Sequence, residues 1–261
     1  MPRPRPKPNS TPDDLAFGIN ACEMALRYGA ARSLSWDEAT RNPRVHQLVE
    51  TARIAGVAVQ AVETARLDQL TNGGVHQGVL VRLRTPESID LRAEAAAPGP
   101  GLALLLDGIT DPQNVGAILR AAVAVGVRAI VLPLRRGALL TPGVHRASAG
   151  LSFVAPVASP QNLASAIRDL KAQDYWIVAA TGAAEAPDAT TFDWPARTAL
   201  VLGSEGTGVS HLLQQEADYS ARLPMDPRVE SLNVAVAAGA LCYLWRARWP
   251  AAAEADAIDT R

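Results

Sequence analysis

The sequence predicts an α/β protein in two parts, a small α/β unit followed by a larger one built on a parallel sheet with helices on both faces. Beyond residue 101, short and continuously apolar stretches alternate with stretches of helical period, and strands apolar on both sides belong to sheets covered above and below. Before residue 85 a separate alternation of helix and strand patterns runs its course. Between the two lies a segment rich in Pro, Glu, Ala and Gly that has no sustained apolar face.

The first residues read Met-Pro-Arg-Pro-Arg-Pro-Lys-Pro-Asn-Ser-Thr-Pro. Alternating prolines remove backbone donors and hold the chain extended, so residues 1–14 are expected to be a disordered basic arm that either touches phosphates or stays solvated. From Phe17 the pattern predicts helices over 20–28, 43–55 and 64–70 and strands over 33–36, 57–62 and 78–83, which makes residues 15–84 a small domain. Residues 85–100 are expected to be the linker to a second domain, 101–249. There the strands are expected at 102–106, 127–132, 153–157, 176–180, 199–202 and 219–223, and the helices near 113–125, 142–149, 160–173, 209–216 and 231–248. Residues 250–261 carry no pattern and are expected to be a flexible tail.

The longest apolar runs fall far short of the ~20 residues that span a bilayer, and no signal peptide opens the sequence. A cytoplasmic location and no membrane partner are therefore expected. Cys22 and Cys242 stand near opposite ends, which supports neither a disulfide framework nor a thiolate metal site, and no metal is expected. The net charge of −1 hides an asymmetry: residues 1–84 hold 11 basic against 8 acidic residues and the remainder 14 against 18, so the amino-terminal part is the better phosphate binder. Arginine supplies 23 of the 25 basic residues, which suits bidentate phosphate contacts but follows equally from codon preference. Charge alone therefore does not establish a nucleic-acid partner. His46 and His145 read as surface or capping residues and His211 as the start of a helix; none is assigned chemistry.

The glycines exclude the commonest α/β function. A dinucleotide fold needs Gly-x-Gly-x-x-Gly after its first strand, whereas the strand at 102–106 is followed by Asp107-Gly-Ile-Thr-Asp-Pro-Gln-Asn-Val-Gly116. The later Gly203-Ser-Glu-Gly-Thr-Gly208 has the wrong internal order, Ser204 does not sit in Gly-x-Ser-x-Gly, and there is no P-loop.

Three segments fit one pattern. Leu105 to Gly126, with Asn114 and Arg120, resembles motif 1 of the SpoU/TrmH family of the SPOUT superfamily. Ala199 to Gly208 resembles its motif 2 and Leu223 to Ala238 its motif 3, in the same order near the carboxyl terminus. Phe17-Gly-Ile-Asn-Ala and His76-Gln-Gly-Val are similar to the small amino-terminal domain of the family's bacterial 23S rRNA guanosine 2′-O-methyltransferases, so the likeness runs from Phe17 to Arg248. The resemblance implies a parallel-sheet domain tied in a deep trefoil knot, an exception to unknotted topology, preceded by a small RNA-binding α/β domain. It further implies a homodimer that uses S-adenosyl-L-methionine to methylate ribose 2′-hydroxyls of structured RNA.

By the same resemblance Asn114, Arg120, Glu205, Ser231 and Asn233 lie at the active site. Gly203, Leu223, Met225 and Leu232 surround the adenosyl group, with Thr181 a weaker candidate. The residues also have plainer readings. Asp111-Pro112 is an N-cap followed by a first helical residue, so Asn114 falls in the first turn, where it can satisfy a backbone amide. Arg120 follows about 9 Å up the helix axis; a guanidinium holds its proton too firmly to be an ordinary base, so it suits stabilisation of a developing oxyanion better than proton abstraction, or it is a surface arginine paired with a carboxylate. Glu205 is a turn carboxylate, and Ser231 precedes an apolar run, where a helix N-cap is natural.

Three classes of function were weighed. A 2′-O-methyltransferase accounts for all three segments, with 23S rRNA the expected substrate because tRNA enzymes of the family typically lack the small domain. A tRNA methyltransferase and a non-catalytic RNA-binding ribosome-assembly protein on the same fold remain alternatives. A nicotinamide oxidoreductase fails at its glycine fingerprint.

Overall fold

Two sheets of different character organise the chain. A computed structural model describes residues 14–84, 88–134 and 140–250, so the expected arm over 1–13 and tail over 251–261 lie outside the described residues. Two compact units result, one of residues 1–87 with 139–154, the other of 88–138 with 155–261.

The amino-terminal unit runs β1 (Leu15–Phe17), α1 (Ile19–Arg27), β2 (Ala31–Asp37), α2 (Pro43–Ile54), β3 (Ala58–Val62), α3 (Thr64–Thr71) and β4 (Val79–Leu83). Its sheet has the order β1-β4-β2-β3, antiparallel except for the β2–β3 pair. α2 starts where Asn42 accepts the Arg44 amide (3.0 Å) with Pro43 beside it. Its buried Val45, Leu48, Val49 and Ala52 fall at helical spacing and meet Leu34, Val79 and Val81 from the sheet. On the other sheet face Leu15, Phe17 and Leu80 pack with Leu67 of α3. The three-residue β1 is too short for sequence periodicity to reveal.

The carboxyl-terminal unit begins with α4 (Leu91–Ala96), β5 (Gly101–Asp107), α5 (Pro112–Val125) and β6 (Ala129–Val131). The chain then contributes α6 (Pro142–Ala147) and a 3₁₀ turn, Leu151–Phe153, to the first unit. It continues with β7 (Val157–Ala158), α7 (Leu163–Lys171), β8 (Trp176–Ala180), β9 (Arg197–Gly203), α8 (His211–Glu216), β10 (Tyr219–Ala221) and α9 (Val234–Arg248). The six strands are all parallel in the order β10-β8-β9-β5-β6-β7. Leu102 to Leu106 of β5 are buried on both faces, as strands at the centre of a covered parallel sheet must be. α5 and α9 lie side by side. The Arg246 guanidinium of α9 donates to the Val125 and Gly126 carbonyls, which terminate α5.

Several expectations need correction. Residues 85–100 are not a bare linker. Asp90 caps α4 by accepting the Arg92 and Ala93 amides, Leu91 and Ala95 enter the core, and Arg128 and Arg197 bind carbonyls between Ala95 and Pro100. The expected strand 153–157 is reduced to Val157–Ala158, because the stretch before it closes a 3₁₀ turn. Residues 142–149, assigned from sequence to the second domain, belong with the first. Arg146 stands over the Phe17 ring (5.1 Å), and Gly150, at φ 80°, leaves the space that a side chain would contest with Met24. His145 is not a surface residue. It is 1% exposed, its Nδ1 lies 2.8 Å from Ser152 Oγ, its ring stacks on Phe153, and burial pushes its pKa down to about 4.

Candidate active site

Three of the polar residues singled out in motifs 1, 2 and 3, Asn114, Glu205 and Asn233, meet beyond the carboxyl ends of β5 and β9, the usual place for ligands on an open parallel sheet. At motif 1, Asp111 Oδ2 accepts the Asn114 amide (3.1 Å) and starts α5, leaving the Asn114 side chain for other partners. Asn114 Nδ2 donates to Glu205 Oε1 (3.3 Å), and Asn114 Oδ1 accepts from Asn233 Nδ2 (2.8 Å). Asn233 Nδ2 also donates to Glu205 Oε1 (2.8 Å), as does the Val234 amide (3.3 Å). Three N–H groups therefore converge on one oxygen of Glu205, and among the described residues the other oxygen has no protein partner.

Asn233 rather than Ser231 caps α9. Its Oδ1 accepts the Ala235 (3.0 Å) and Val236 (3.3 Å) amides, so the helix starts at Val234 and not at 231. With both amide hydrogens and the carbonyl committed, Asn233 has one orientation only, since a flip would set its carbonyl against the carboxylate. Ser231 is exposed and makes no hydrogen bond among the described residues.

Glu205 is placed by a loop that braces itself. β5 pairs with β9 as far as Asp107 opposite Gly203, and Asp107 Oδ2 then accepts the Ser210 amide (2.7 Å) across the loop. The Ser204 and Thr207 hydroxyls share a hydrogen bond (2.6 Å), and the Gly208 amide donates to the Ser204 carbonyl (2.9 Å). A Cβ at Gly203 would lie 1.9 Å from the Gly208 carbonyl carbon and 2.1 Å from the Val209 nitrogen, so only glycine lets the chain's own backbone pass this close. Sequence reasoning passed over Asp107; its signal is a carboxylate ending a wholly apolar strand.

A cavity of about 920 Å³ adjoins this cluster at the carboxyl ends of β8, β9 and β10. Gly203, Leu223, Met225, Leu232 and Thr181 all line it, as do Glu205 and Ser231. Thr181 is tied to both neighbouring segments: its amide donates to Ala221 O (3.1 Å) and its Oγ1 accepts from the Ala183 amide (3.1 Å). The loop carrying Met225 turns on Asp226, whose carboxylate takes a two-point contact from Arg228 (2.8 and 3.0 Å). The Arg228 guanidinium holds that carboxyl below its ordinary pKa.

Arg120 stands apart from the cluster. It is exposed, has no hydrogen bond or ion pair among the described residues, and shares a stripe of α5 with Gln113, Ala117 and Ala124, all exposed. On the neighbouring α9, Val236 and Tyr243 are 58% and 56% exposed.

Residues 101–243 match the SpoU rRNA methylase family, and residues 15–88 match the RNA 2′-O ribose methyltransferase substrate-binding domain. The chain belongs to the SpoU rRNA methylase family. Among relatives, a 23S rRNA (guanosine-2′-O-)-methyltransferase of Xylella fastidiosa is 38% identical over 87% of this chain and 93% of that protein. One of Pseudomonas aeruginosa is 36% identical over 91% and 98%. The solved structure of an AdoMet-bound rRNA methyltransferase from Sinorhizobium meliloti superimposes with a TM-score of 0.74 at 27% identity, covering 91% of this chain and 88% of that one. The SpoU fold expected from the three motifs is thus present, with its parallel sheet and its preceding substrate-binding domain.

Proposed function

We propose that this chain is a homodimeric enzyme that methylates a ribose 2′-hydroxyl of ribosomal RNA, at a guanosine of 23S rRNA, with S-adenosylmethionine as donor. The cytoplasm, where ribosomal RNA is made, is its place of action. The observation that carries the reading is the Asn114–Glu205–Asn233 cluster, drawn from three distant segments onto the lip of one cavity.

The cavity fits the cofactor. Its volume lies within the range of small-molecule sites, its apolar wall of Leu202, Leu223, Met225 and Leu232 suits an adenine, and Thr181, Ser204 and Ser231 supply polar groups among backbone amides. When bound, the cofactor would supply an electrophilic methyl group at the mouth of the cavity beside Glu205. The protein's share is placement and charge. Glu205 Oε2 and the second amide hydrogen of Asn114 are the cluster's uncommitted groups and hold the ribose. The Arg120 guanidinium stabilises negative charge growing on the 2′-oxygen.

Among the described residues of a single chain nothing engages Arg120, and the apolar positions beside it on α5 and α9 have no cover. Both fit a two-fold interface through which each Arg120 serves the partner's cluster. The deep trefoil knot implied by the resemblance, threaded by the carboxyl-terminal chain, belongs to this reading. The 15–88 unit supplies RNA grip.

The test is methylation of a 23S rRNA fragment with mapping of 2′-O-methyl positions, comparing the wild type with Arg120→Ala. The variant should lose turnover on the order of 10²–10³-fold while its cofactor affinity, measured by calorimetry, stays within about twofold. Wild-type turnover in the variant, or a monomer in ultracentrifugation at high concentration, contradicts the reading.

A further inference from the structure

The cavity has an unusual charge. Among the described residues four carboxylates line it, those of Glu185, Glu205, Asp218 and Glu230, and no Lys, Arg or His does. Two of the four are already committed. Glu205 takes three N–H groups, and Asp218 pairs with Lys171 (3.2 Å) and accepts the Ile177 amide (2.8 Å). Glu185 and Glu230 have no hydrogen bond or ion pair among the described residues, and they come from two different segments of the cavity wall, one after β8 and one before α9. A concave, partly apolar site lined by one sign of charge focuses its field on whatever binds there.

S-adenosylmethionine and the product left after transfer differ in charge more than in shape. The donor carries a sulfonium, an ammonium and a carboxylate, a net single positive charge; the product is a neutral-sulfur zwitterion with no net charge. Resting on the methyltransferase reading above, we propose that Glu185 and Glu230 make this cavity a charge discriminator, which favours the sulfonium donor and weakens its hold on the thioether product. Transfer of the methyl group removes the positive charge that these carboxylates attract, so the reaction itself loosens the product. Neither residue touches the reacting atoms in this account. They act through the field alone; a carboxylate about 6 Å from a unit charge in water-like surroundings changes its affinity by about threefold.

The experiment is calorimetry of the full chain with S-adenosylmethionine and, separately, with the demethylated product, for the wild type, Glu185→Gln, Glu230→Gln and the double variant. Glutamine preserves volume and hydrogen bonding and removes only charge. The double variant should bind the donor about tenfold more weakly and the product within about twofold of wild type. Raising the salt concentration should reduce the wild type's preference more than the double variant's, which retains Glu205 and Asp218. An unchanged donor-to-product ratio, or equal weakening of both ligands, overturns the proposal, the second outcome assigning the carboxylates to the shape of the site. Thermal melting of each variant separates loss of fold from loss of charge. If the wild type binds neither ligand, the methyltransferase reading fails, and this inference with it.

Discussion

The loop at 72–78 and the loop at 203–210 are both glycine-rich, both follow a helix or strand end, and both carry polar residues that resemble family motifs; their side chains are used in opposite ways. In the first, His76 Nδ1 accepts the Gly78 amide (3.1 Å) and Nε2 lies 3.0 Å from Asp68, while Gln77 Oε1 accepts the Ile19 amide (3.0 Å) at the start of α1. Both side chains support a backbone with positive φ at Asn72, Gly73, Gln77 and Gly78. In the second loop the backbone and the Ser204, Thr207 and Asp107 side chains do the bracing, and Glu205 is left with one oxygen uncommitted. A motif-like polar residue is scaffold when its own loop consumes it and a site residue when the loop is stable without it.

The largest effect should come from Gly203→Ala. A methyl group cannot share space with the Gly208–Val209 backbone, so the loop must leave β9. Overpacking of this kind costs about 3 kcal/mol or more; the expected outcome is a lowered melting temperature with cofactor binding lost, and a variant that melts and binds like wild type would erase the contrast between the loops.

Asn233→Asp sharpens it. The carboxylate still caps α9, so stability should fall by under about 1 kcal/mol, but the two amide donors to Asn114 and Glu205 vanish and a second negative charge faces Glu205. Turnover should drop on the order of 10²-fold, with chemical denaturation nearly unchanged; equal loss of stability and rate would make the cluster structural.

Gln77→Ala should do least. It removes one hydrogen bond to the α1 amide, about 1 kcal/mol, and cofactor affinity measured by calorimetry should not move. A change in that affinity would show the 72–78 loop to be more than scaffold.

The parts of the fold that were legible in the sequence are those with local cause. β5 is a continuous apolar run ending at Asp107, and α5 opens on Asp111-Pro112 and closes on Gly126 at φ 74°, so its limits were readable to within a residue. α4 was missed because its flanks are Pro, Ala and Gly, and beyond the Asp90 cap what holds it is tertiary: Leu91 and Ala95 in the core, Arg92 on Asp169 and Arg197 on the Ala95 carbonyl. His145 was misplaced because burial by α1 and the 3₁₀ turn is a tertiary fact. For the site, resemblance named the residues, but no local pattern states that Asn114, Glu205 and Asn233 share hydrogen bonds across 91 and 119 positions. The acidic character of the cavity was equally invisible, since its carboxylates stand on separate loops.

The pairing of β5 with β9 has a consequence for how the protein is made. β5 is complete at residue 107, but the strand that covers one of its edges, residue by residue from Gly101 opposite Arg197 to Asp107 opposite Gly203, is made almost a hundred residues later. At about 5–20 residues per second, that edge waits for roughly 5–20 s after emerging from the ribosome. For that interval the most apolar strand of the chain has an open hydrogen-bonding edge, the template on which strands of other chains assemble. The protein is therefore most vulnerable to aggregation while it is being synthesised, and slower translation between residues 108 and 196 should lower its soluble yield without changing the finished molecule.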